Sequence, residues 1–117
     1  MEDVIQLLNS AKELKDWKIK AFGQLPLGEG ITYSFYNTSD NGIVAKDNMT
    51  ITVISYKLEK AVSTLNAIKK LLITIGDDKL TNKVLHVEQN GGSTINNIVG
   101  GHNMYFVGAI FNVTRRA

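Results

Sequence analysis

The chain has 117 residues and a mass of 12.9 kDa, so residues 1–117 are read as one domain with one buried core. With 44% hydrophobic and 21% charged residues it has an ordinary globular composition, which excludes a disordered or fibrous chain. The absence of cysteine excludes thiol catalysis, disulfides and thiolate zinc sites, and a net charge of +2 is too small for a protein that neutralises many phosphates.

Met1-Glu2-Asp3-Val4-Ile5 places acids where a secretory leader carries basic residues, and no apolar run is long enough to span a bilayer. The expectation is a cytoplasmic protein that does not enter a membrane. From Asp3 to Leu14, Val4, Leu7, Leu8, Ala11 and Leu14 recur at helical spacing, with acids at the start and Lys12 and Lys15 at the end, which predicts an amphipathic helix. Trp17 to Phe22 alternates as a short strand, and Pro26, Gly28 and Gly30 then mark a loop.

Ile31 to Asn37 predicts a half-buried strand, with Ile31, Tyr33 and Phe35 on one face. Thr38 to Asn48 collects turn residues and is read as a long hairpin loop before a second strand, Met49 to Tyr56. At Leu58 the period changes from two to 3.6. Leu58, Ala61, Val62, Leu65, Ile68, Leu72 and Ile75 form one stripe, which predicts a long central helix of roughly eighteen residues, about 27 Å, with Gly76 beyond its end.

Asn82 to Gln89 predicts another strand, and Gly91 to Gly101 is either a mobile loop or a short strand between glycine hinges. His102 to Thr114 predicts a last strand apolar on both faces: Tyr105, Val107, Ala109, Phe111 and Val113 on one, Met104, Phe106 and Ile110 on the other. The element order predicts an α+β fold, an antiparallel sheet of about four or five strands with the N-terminal and long central helices packed on it. If both helices cover one face, Met104, Phe106 and Ile110 are the candidate oligomer interface; if the helices take opposite faces, no such need arises.

Chemistry is sparse. His86 and His102 are the only side chains suited to proton transfer near neutral pH, and neither has a serine or carboxylate at a spacing that defines a catalytic arrangement. Asp77 and Asp78 lack the ordered oxygen spacing of a calcium site. Leu27-Gly28-Glu29-Gly30 is followed by a strand and not by a helix, which argues against a phosphate loop. No catalytic residue, cofactor site or metal site is therefore expected. Lys69, Lys70, Arg115 and Arg116 are candidates for a basic surface, which a ring would repeat around its circumference.

Together these segments resemble the tail terminator, or tail completion, proteins of long-tailed bacteriophages and prophages. The resemblance rests on the helix Asp3 to Leu14, the turn and strand Gly28-Glu29-Gly30-Ile31-Thr32-Tyr33-Ser34-Phe35-Tyr36, and the polar loop after them. It continues through Asp47-Asn48-Met49-Thr50-Ile51-Thr52-Val53-Ile54-Ser55-Tyr56 into the helix from Leu58, and closes on the strand Met104 to Val113. It implies a structural protein, not an enzyme, that forms a homo-hexameric ring on the end of the tail tube. Its implied partners are itself, the tail tube protein and the head-tail connector protein, with nucleic acid only passing through the ring. Its implied location is the host cytoplasm during assembly and then the virion tail, and the loops Thr38 to Asn48 and Gly91 to Gly101 would be its contact elements. Another small neck or minor capsid component, or a small nucleic-acid-binding α+β module, are the alternative functions.

Overall fold

Long runs of β-branched and aromatic residues dominate the second strand pair and the C-terminal end, and these form the body of the fold. The computed structural model describes residues 2–15, 17–21, 29–73, 84–99 and 101–116. Helix α1 spans Glu2–Ser10 and is followed by a 3-10 turn, Lys12–Leu14. Strands β1 (Ile19–Ala21), β2 (Gly30–Asp40) and β3 (Val44–Ser55) lead into helix α2 (Leu58–Leu72), and strands β4 (Val84–Val99) and β5 (His102–Arg116) complete the chain. The five strands form one sheet in the order β1-β2-β3-β5-β4.

The fold is α+β with five strands, but the sheet is mixed and not wholly antiparallel. β1 runs parallel to β2, pairing Ile19 with Ile31 and Ala21 with Tyr33, while the other three pairings are antiparallel. A parallel neighbour cannot be reached by a tight hairpin, so β1 and β2 are not a hairpin pair.

Helix α2 is also shorter than the stripe suggested. Its fifteen residues span about 22 Å. Ile73 has left the helix, with φ −73° and ψ 124°, where the β-branched run Ile73-Thr74-Ile75 begins. Gly76 and Ile75 lie outside the described residues. At the other end of the chain, Ala11 interrupts the expected helix with φ −72° and ψ 132°. The Ser10 hydroxyl donates to the Leu7 carbonyl at 3.1 Å, competing with the backbone ladder just where the helix stops.

The segment read as a long loop, Thr38 to Asn48, is instead the end of a hairpin. β2 and β3 pair as far as Asp40 opposite Ala45. The turn is held by its own side chains: Gly42 N–H donates to Asp40 Oδ1 at 2.8 Å, and the N–H groups of Ile43 and Val44 donate to Asn41 Oδ1 at 2.9 and 2.8 Å. Gly42 sits at φ +85°, a conformation that costs other residues about 1–2 kcal/mol. Polar turn-forming residues thus build a tight turn and leave the rest of the segment free to extend.

Likewise, Gly91 to Val99 is neither a mobile loop nor a separate short strand. It is the second half of the sixteen-residue β4, paired along β5 with irregularities between Val84 and His86 and between Gln89 and Gly92. Because β3 and β5 run antiparallel over Val44–Ser55 and Tyr105–Arg116, the β2–β3 turn and the β4–β5 turn lie at opposite ends of the sheet. β5 alone accounts for about 50 Å at ~3.3 Å per residue, matching the molecule's longest extent of 48 Å.

Both helices pack on the same face. Val4 and Leu8 of α1, Leu14, and Ala61, Leu65, Ile68 and Leu72 of α2 join one core with Ile31, Met49, Ile51, Val53, Val107, Ala109, Phe111 and Val113. Each fully buried Leu, Ile, Val or Phe contributes about 1.5–3 kcal/mol through removal from water. The other side chains of the stripe, Leu58 and Val62, are 40% and 39% exposed, so the face α2 buries is narrower than the sequence pattern.

Candidate interaction surface

The even-numbered residues of β3 and β5 point away from the helices. Pairing aligns them in rows: Gly30, Ile54, Phe106 and Ile95; Thr32, Thr52, Gly108 and Ser93; Ser34, Thr50 and Ile110. No described helix covers these rows. Their chemistry is mixed, small hydroxyls beside large apolar groups, in a sheet face that antiparallel strands commonly leave to solvent.

The three residues expected at an oligomer contact all lie on this face, but they differ in access. Met104 is 3% exposed, Phe106 is half-buried and Ile110 is 36% exposed. Ile95, beside Phe106 on the edge strand, is 56% exposed and joins the patch through pairing that only the fold reveals. An exposed isoleucine stands near each end of the sheet, Ile43 in the β2–β3 turn at 77% and Ile98 near the end of β4 at 72%.

The basic candidates divide into two pairs. Lys69 and Lys70 stand in the last turn of α2, where cations favour the helix dipole, and Arg115 and Arg116 end β5. Arg115 is not a loose surface charge. Its Nε donates to Asp47 Oδ2 at 2.5 Å and its Nη2 to Asp47 Oδ1 at 3.4 Å, while Asn37 Nδ2 donates to Asp47 Oδ1 at 2.9 Å. Burial pushes the Asp47 carboxyl up, but these hydrogen bonds and the guanidinium charge outweigh it and hold the group below its ordinary range. The same hydrogen bond raises the Arg115 guanidinium. Three strands, β2, β3 and β5, are thereby tied together by one carboxylate.

A second polar cluster joins β2 to the start of α2. Glu29 accepts from the Ser55 hydroxyl at 2.5 Å, from the Tyr56 N–H at 3.3 Å and from Lys60 Nζ at 3.0 Å, and the Ser55 oxygen accepts from the Lys57 N–H at 3.2 Å. The Ser55 hydrogen bond chiefly lowers the Glu29 pKa, with burial opposing it and Lys60 and the Tyr56 N–H reinforcing it. Lys57, the residue before the helix, makes no side-chain cap of its own. Glu29 and Ser55 instead hold the N–H groups of Tyr56 and Lys57 just ahead of the helix, and Lys60 lies over the Trp17 ring, 5.1 Å from its centroid.

Apart from Arg115, no member of either cluster figured among the sequence candidates. A signal for Asp47 existed: it is in phase with Met49, Ile51 and Val53, and an acid on a buried stripe requires a partner. Glu29 offered only its position between two glycines. The histidines are kept apart. His86 pairs across the sheet with Thr114 and lies 3.8 Å from Glu88 Oε2, whereas His102 opens β5 at the other end, edge-on to Tyr56 at 5.6 Å between ring centroids. Tyr56 itself lies beyond the end of β3 and is 44% exposed. Asp77 and Asp78 lie outside the described residues. Among the described residues, no three His, Asp or Glu side chains group as metal ligands, and no helix is long and apolar enough to cross a membrane.

The surface therefore defines an α+β protein whose distinctive features are a sheet face that no described helix covers and two opposed hairpin ends. No family model and no curated protein matches the sequence. Among solved structures, a chain in the virion of a native gene transfer agent (GTA) particle is similar, with a TM-score of 0.69 at 17% sequence identity, over 97% of this chain and 92% of that one. At that identity the likeness is one of fold.

Proposed function

We propose that the chain is a structural protein of a phage-like virion and, within it, the tail terminator. Six copies close into a ring on the last ring of the tail tube, end its polymerisation and present a surface to the head-tail connector. In this reading the protein is not an enzyme and takes no cofactor. It assembles in the host cytoplasm and remains in the virion tail, with nucleic acid passing through the ring at most.

The observation that carries the reading is the match along nearly the whole of both chains to a GTA virion component, which meets the tail-terminator resemblance of the sequence. The sheet face that no described helix covers supports it: Phe106 and Ile110 supply apolar area for contact between copies, and the opposed turns give two ends for two different partners. Electron microscopy of tails assembled without the protein tests the proposal. Overlong, unjoined tails are expected; tails of normal length that join heads refute it.

A further inference from the structure

β4 is one edge of the sheet, and beside it the helix layer stops short. Helix α2 packs chiefly over β3 and β5 and barely reaches β4, which leaves an open cleft of about 450 Å³ between helix and edge strand. Val62, Asn66 and Lys69, four and three residues apart on one flank of α2, form its wall. Its floor is Val107 of β5 with Gly92 and Thr94 of β4, which pair with Ala109 and Val107 and so share their side of the sheet. The edge itself is open to a further strand. A free row of N–H and C=O groups recruits one unless charge, proline, a bulge or shortness prevents it. From Gln89 to Val99 the chain carries no charge and no proline, and every residue from Glu88 to Ile98 is exposed. The irregularity lies between Gln89 and Gly92, and from Gly92 to Val99 β4 pairs residue for residue with β5. A strand added along this stretch turns every second side chain toward the cleft.

The cleft holds one charge. Lys69 is half-buried there, and among the described residues no carboxylate pairs with it. We propose that β4 and α2 together bind an extended segment of another protein, added to the sheet as a sixth strand, with an acidic side chain in the cleft against Lys69 and an apolar one further along against Val62. In such strand addition the main chain supplies affinity and the side-chain cleft supplies specificity. Charge selects this occupant over a second copy of the chain. The other described sheet edge, β1, has three residues with exposed Lys18 and Lys20 at it, cations that Lys69 repels. The β4 edge from Gln89 to Val99 has no acid to offer a neighbour's Lys69.

This inference does not rest on the tail-terminator reading, and it uses none of the helix-free face that the ring assigns to contact between copies. The isolated protein tests it. Selection of displayed random octapeptides on the wild-type protein is expected to enrich sequences of β-forming residues with one Asp or Glu. In the synthetic peptide so obtained, changing that acid to its amide weakens binding about fivefold by titration calorimetry, and Lys69→Met binds both forms alike. N-methylation of successive peptide bonds costs affinity at alternate positions only, because an added strand turns every second N–H to its neighbour. Lys20→Met, at the opposite edge, changes neither result. Circular dichroism checks that Lys69→Met is folded, and the amide and N-methyl peptides on the wild-type protein decide the matter if it is not. No enriched peptide, no loss on the change to the amide, a folded Lys69→Met that still prefers the acid, or equal losses at every N-methyl position overturns the proposal. So does an affinity that falls as the protein is concentrated, which puts a second copy on the edge.

Discussion

The tie between Asp47 and Arg115 offers the sharpest test of how this sheet is held. Replacing Arg115 with methionine keeps the aliphatic stem and removes both guanidinium bonds to Asp47, together with one to the Arg116 carbonyl, leaving a carboxylate whose side chain is 4% exposed with Asn37 as its remaining side-chain donor. Breaking a buried ion pair from one side costs about 3–5 kcal/mol, and stranding a single buried polar group about 1–3 kcal/mol. Arg115 keeps 27% of its side-chain surface in water, so its own desolvation is partial and the pair lies between these cases. The expected loss is about 2–3 kcal/mol at pH 7, a large share of the 5–15 kcal/mol typical of a domain. Urea unfolding followed by the fluorescence of Trp17, the single tryptophan, measures it.

The pH dependence distinguishes this mechanism from simple loss of packing. In the wild type the Asp47 carboxyl is lowered by its partners, so its contribution is present above the unfolded value of about 3.9 and disappears as pH falls through the lower folded value. In Arg115→Met, burial acts with less opposition and raises the folded pKa. The variant's penalty is then relieved as acid protonates Asp47, and the stability gap between the two proteins narrows from pH 7 toward pH 3. A gap that is constant over that range, or below about 0.5 kcal/mol at pH 7 as at an exposed pair, refutes the reasoning.

Ser55→Ala removes a fully buried hydroxyl that both donates to Glu29 and accepts from the Lys57 N–H, and is expected to cost about 1–2 kcal/mol in thermal or urea unfolding. Gly92→Ala places a methyl carbon 2.8 Å from the Gly108 carbonyl oxygen and should destabilise by about 1–3 kcal/mol, whereas a methyl at Gly108 meets the Thr52 hydroxyl at 3.2 Å and should cost less. Ile68→Ala, in the core, should cost about 2–5 kcal/mol, while Val62→Ser, one turn and a half away on the same helix, should stay within about 1 kcal/mol by chemical denaturation.

What the sequence determined by itself was local and periodic. The shift from a two-residue to a 3.6-residue period at Leu58 located α2, and the alternation through Ile31, Met49 and Phe111 located strands in which these three residues are buried, although Phe35, expected on the face of Ile31, is 37% exposed. The candidate face of Met104, Phe106 and Ile110 was also legible, because a strand apolar on both sides cannot satisfy both against one helix layer. Boundaries set by competition were not. Turn-forming residues from Thr38 to Asn48 signalled a loop, yet two sheet neighbours outbid that preference and extended β2 and β3 almost to the turn. Glycines around Ile95 signalled a hinge, yet pairing along the whole of β5 drew them into β4. Only tertiary structure could decide which charges are anchored, since Asp47 meets Arg115 across 68 positions and Glu29 meets Ser55 across 26. The same holds for which apolar residues remain at the surface. Met104 is covered while Ile95 and Ile110 are not, because exposure depends on what lies above a residue, and periodicity records only the direction in which it points.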